Sequence, residues 1–132
     1  MDAEVLDEIQ AHAQRILELA GSRFRAEVGY DERGVRWLDA YIEQIRGDLD
    51  PEDYEAVTPA LGSFLGACVI QTYGGVWGEA DDQICVRIGE KGAVFVFGRV
   101  LRQLQQGSAA SVHSLFRALS PLFGETVAAK RG

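Results

Sequence analysis

A chain of 132 residues that is 47% hydrophobic and 25% charged has the length and composition of one globular domain with a sizeable core. Its net charge of −7 and pI near 4.8 argue against nucleic acid, because phosphate binding draws its affinity from clustered Lys and Arg, and favour a protein partner with a basic surface. The acidity is one-sided: residues 1–66 hold 15 acidic and 6 basic side chains, residues 67–132 only 5 and 7.

The opening MDAEVLDEIQ lacks the basic start and apolar centre of a secretory signal, so no export is expected. A first helix is predicted over residues 2–25, with Val5, Ile9, Ala13, Ile16, Ala20 and Phe24 recurring at steps of three and four. Asp2 and Glu4 suit the positive end of its dipole. After a break at residues 29–34, a second helix starts at an Asp31 N-cap. It keeps Val35, Leu38, Ile42, Ile45 and Leu49 on one stripe until Gly47 and Pro51 end it.

The segment GDLDPEDY, residues 47–54, reads as a dense acidic turn. Thr58 and Pro59 then look like an N-cap and first helical position, opening a third helix through LGSFLGACVIQTY. That helix is apolar nearly all round and is expected at the centre of the core, with Gly62 and Gly66 one turn apart permitting close approach. No charged residue occurs over residues 56–78, long enough to span a bilayer at about 20 residues per crossing. The same window holds five glycines, Thr58, Pro59, Ser63, Gln71 and Thr72, a composition that points to a buried helix and no membrane partner.

From Gly75 the period shortens to two. Strands are predicted over residues 76–78, 84–88 and 93–97, separated by turn signals at Asp81-Asp82 and at GEKG, which gives an antiparallel meander. A short helix follows over residues 99–106, stopped by Gly107. A last helix is capped by Ser108 or Ser111 and carries Val112, Leu115, Phe116 and Leu119. Residues 124–132 form a small, polar tail expected to fray. The fold class is therefore α+β. Two N-terminal amphipathic helices and a central Gly-containing helix pack on a three-stranded antiparallel meander, followed by two short helices. It is one domain over residues 1–132, with an acidic helical part (1–54), a central part (55–123) and the tail.

Chemistry is narrowed by elimination. His12 and His113 lack any HExxH-like partner, so zinc hydrolysis has no foundation. His113 is one and two residues from Ser114 and Ser111, spacings that a helix does not present on one face. Cys68 and Cys85 have no CxxC spacing and sit in apolar runs, as buried thiols of a reduced cytoplasmic protein. The alternating acids Asp48, Asp50 and Glu52 resemble the start of a calcium loop, but Asp53 stands where its glycine belongs and Pro59 where its bidentate glutamate belongs. No phosphate-binding glycine loop exists, and no cofactor or metal is expected.

The pieces Leu61-Gly62, Leu65-Gly66, Gly74-Gly75-Val76-Trp77, Phe97-Gly98-Arg99-Val100 and Gly107-Ser108 resemble, in order and spacing, a group of small bacterial domains of unknown function of the DUF3806-like kind. There a proline precedes the phenylalanine; here Val96 does. The resemblance implies a fold and a bacterial origin and carries no activity. The function expected from the residues is a non-enzymatic binding module of the immunity-protein type. It would neutralise a toxin by covering a basic surface, with Asp48, Asp50, Glu52, Asp53 and Glu55 making the contact. The alternative is a small-molecule or enzymatic pocket between the central helix and the sheet near Tyr73, Trp77 and Arg99.

Overall fold

A computed structural model of the chain describes residues 1–90 and 92–124, so the predicted tail lies almost wholly outside the described residues. Helix α1 spans Ala3–Phe24 and α2 spans Glu32–Asp48. Each is opened by an aspartate: Asp2 accepts from the Glu4 amide at 3.0 Å and Asp31 from the Gly34 amide at 3.0 Å. The predicted stripe of α1 is buried at Ile9, Ala13, Ile16 and Ala20, and that of α2 at Val35, Leu38 and Ile42. Phe24 stays exposed at the end of α1, its ring edge-on to Trp37 and Tyr41, which stack on each other at 5.1 Å.

The third helix, α3, spans Tyr54–Tyr73 and starts a full turn earlier than the Thr58-Pro59 pair predicts. A short 3₁₀ turn, Pro51–Asp53, runs straight into it, with Pro51 taking the first-turn role expected of Pro59. Tyr54, buried and donating to the Arg46 carbonyl at 3.0 Å, fixes that junction by tertiary packing that local sequence does not announce. Thr58 is no cap: its hydroxyl turns back to the Tyr54 carbonyl at 2.8 Å. Pro59 lies inside the helix and withholds the amide that the Glu55 carbonyl would otherwise receive.

By length and composition the stretch Pro51–Tyr73 would suffice to cross a membrane; here half of its most apolar window is buried in the protein. α3 packs against α1 and the later helix α4 (Val96–Gln106) and also touches the sheet. Gly66 receives the Trp77 indole so closely that a Cβ there would stand 2.0 Å from the ring, and Gly62 receives Phe97 at 2.3 Å by the same measure. The two glycines are therefore sockets for two aromatic rings, which meet each other at 5.8 Å.

The sheet is a meander in the order β1 (Val76–Ala80), β2 (Gln83–Ile88), β3 (Gly92–Val94), antiparallel throughout. Asp81 and Asp82 both have positive φ, 52° and 63°, between the paired residues Ala80 and Gln83. That is the two-residue hairpin whose twist matches the strands. The third strand is shorter than residues 93–97. The chain turns at Phe95, and Val96 and Phe97 already belong to α4, where Val96 enters the core and Phe97 reaches Gly62. Gly107 ends α4 at φ 82°, and Ser111 caps α5 (Val112–Ala118) by accepting from the Ser114 amide at 3.2 Å.

Candidate functional site

The five acidic residues converge on one corner. Asp48 ends α2, Asp50 precedes the 3₁₀ turn that carries Glu52 and Asp53, and Glu55 follows in the first turn of α3. All five are exposed, and among the described residues no side-chain donor reaches their carboxylates. They spend no charge on internal ion pairs. No group of three His, Cys, Asp or Glu among the described residues is placed to hold a metal ion.

Beside this corner lies a groove that sequence reading does not foresee. It has a volume of about 390 Å³ between α1, the first turns of α3, β2 and α4. Ile9, Ile84, Phe97 and Leu101 give it apolar walls, and the exposed Glu8 and Glu55 border it from α1 and α3. Glu55 thus belongs to both features and makes them one face. The groove, lined in part by Pro59, depends on how Phe97 seats on Gly62, a contact between segments far apart in sequence.

Among the described residues, Tyr73, Trp77 and Arg99 are not brought together in one cavity. Tyr73 is buried, donates to the Phe116 carbonyl at 2.8 Å and packs on that ring at 5.2 Å. Burial raises its phenol above the usual range. Trp77 fills the Gly66 socket, with one edge on a cavity of about 230 Å³ beside Tyr30 and Ala67. Arg99 faces a different cavity, and one of its terminal nitrogens donates to the Ser111 carbonyl at 3.3 Å. A cavity thus lies beside Trp77 between α1, α3 and β1, but among the described residues its lining includes neither Tyr73 nor Arg99.

A polar clasp joins α2, α4 and α5. Gln103, wholly buried, donates to Asp39 at 3.2 Å and to Glu43 at 3.1 Å, and accepts from the Val112 amide at 2.9 Å. Asp39 also accepts from the Ser111 hydroxyl and from the His113 amide at 3.1 Å. His113 Nε2 lies 3.2 Å from a Glu32 carboxylate oxygen, which also accepts from Arg36 at 3.1 Å. The hydrogen bond from His113, ahead of the nearby Arg36 charge, holds Glu32 below the usual glutamate range. Ser111 and His113 thus meet partners from α2 and do not act as nucleophile and base on each other. The sequence signal for this clasp is a polar residue within an apolar stripe: Asp39 between Val35 and Ile42, Gln103 between Val100 and Leu104.

Both cysteines are fully buried and unpaired. Burial pushes the thiol of Cys68 far above its ordinary range and raises that of Cys85 as well, so neither is a nucleophile in the folded state. No family model, curated protein or solved structure matches the chain.

Proposed function

We propose that this chain is a non-enzymatic protein-binding module of the immunity-protein type, an acidic inhibitor that covers a basic surface on a toxin enzyme in the bacterial cytoplasm. The observation that carries the reading is the corner itself. Five carboxylates within eight residues stand exposed without partners among the described residues, and Glu55 joins them to an apolar groove. An apolar centre beside a charged rim is the anatomy of a protein interface. The unpaired charges supply long-range steering toward a basic partner, and the groove offers a place for one of its apolar side chains.

The small-molecule alternative is supported less well, because among the described residues Trp77 and Arg99 line separate cavities and Tyr73 lines neither. An inhibitor of this kind is encoded beside the enzyme it restrains, so the first partner to test is the product of the adjacent gene. Co-expression should yield a complex that survives size-exclusion chromatography and whose formation is weakened by D50K/D53K and by E8K/E55K. A complex equally retained by both variants would remove this face from the account.

A further inference from the structure

We infer that the cavity between β3, the start of α4 and α5 is a binding site for a small organic anion, a carboxylate carried on an apolar body. The cavity is about 500 Å³, within the range that holds small ligands. Its charge runs against that of the molecule. In a protein with 20 acidic and 13 basic side chains, this lining contains, among the described residues, two arginines, Arg99 and Arg102, and no carboxylate. The arginines are three residues apart on α4 and so share a face. Neither forms an ion pair among the described residues.

Arg99 is under-satisfied as well as unpaired. A guanidinium has five N–H donors, and the described residues provide one acceptor, the Ser111 carbonyl at 3.3 Å; its Nε is buried without a partner. That one bond ties the guanidinium to the start of α5 and orients it in advance of any ligand. Arg102 is exposed and makes no hydrogen bond among the described residues, so its donors can turn toward the same anion. Paired guanidiniums match the planar oxygens of a carboxylate. The opposite wall is apolar, with Val94, Leu115 and Leu119 placed to cover a short hydrocarbon body. Neither the acidic corner nor the groove contributes a residue, so this site stands independently of the proposed partner.

The test is a titration of the full-length ¹⁵N-labelled protein with sodium octanoate, followed by amide shifts. Saturable shifts are expected at Val94, Gly98, Leu115 and Leu119. R102Q, which removes no hydrogen bond among the described residues, should weaken octanoate binding about tenfold, by loss of a charge-assisted contact. R23Q, an exposed arginine on α1, makes the same change in net charge and should leave the affinity unchanged. Octanol and inorganic phosphate each present half of the proposed ligand and should bind at least tenfold more weakly at these amides. The proposal is overturned if octanoate gives no saturable shift there. Equal weakening by R102Q and R23Q overturns it too, as does octanol or phosphate alone matching octanoate at the same amides.

Discussion

Gly66 and Gln103 show how single residues hold this fold, one by having no side chain and one by having a polar side chain in the core. A methyl group at position 66 would stand 2.0 Å from the Trp77 ring, and an indole in a packed site has no room to yield. G66A is therefore expected to cost about 1–3 kcal/mol by overpacking, read as a fall in the denaturant midpoint; unchanged stability would mean that Trp77 is not seated on α3. Gln103 is satisfied on both ends of its amide while wholly buried. Replacing it by Leu leaves the Val112 amide without its acceptor, so Q103L should cost about 1–3 kcal/mol despite the gain in apolar volume. The sequence shows that Gly62 and Gly66 allow close approach but not by what. It shows that Asp39 and Gln103 interrupt apolar stripes but not that they meet.

At the scale of elements, local signals and tertiary contacts divide the prediction. Asp31 and Ser111 act by accepting from backbone amides three residues on, Asp81-Asp82 and Gly107 through their own backbone, and the structure places each in its predicted role. The start of α3 and the end of β3 differ because Tyr54 and Phe97 are positioned by α2 and α3, contacts with no local signature. The α2–α5 contact carries a pH dependence. Glu32 is held below its ordinary value chiefly by its hydrogen bond with His113, so its contribution is present above the usual glutamate range and is lost as pH falls through its lowered folded value. Its side chain is 45% exposed, which limits the effect to under about 1 kcal/mol. Denaturant midpoints measured down to acid pH should show E32Q falling less steeply than wild type; identical profiles would mean that the pair contributes nothing.

The described molecule is a helical core with a small sheet packed against α3, whose Gly66 receives Trp77 of β1. Both thiols lie inside that core, so in native buffer neither Cys68 nor Cys85 should react with a thiol-specific reagent, and two equivalents should react on denaturation. Prompt native labelling of one thiol would reveal that the sheet opens locally. The α+β class and the order of the meander were legible because hydrophobic period and turn residues are local properties. The acidic corner was legible as composition. The groove beside it and the arginine-lined cavity were not, since both are spaces left between elements that meet only in three dimensions.

The central claim is that the exposed carboxylates of residues 48–55 guide the chain onto a basic partner. Stopped-flow association with that partner at low and high salt tests it most directly. The wild-type rate constant should fall steeply as salt rises, and D50K/D53K should lower it by about tenfold or more at low salt, with little difference left at high salt. Equal low-salt rate constants for wild type and variant would contradict the account.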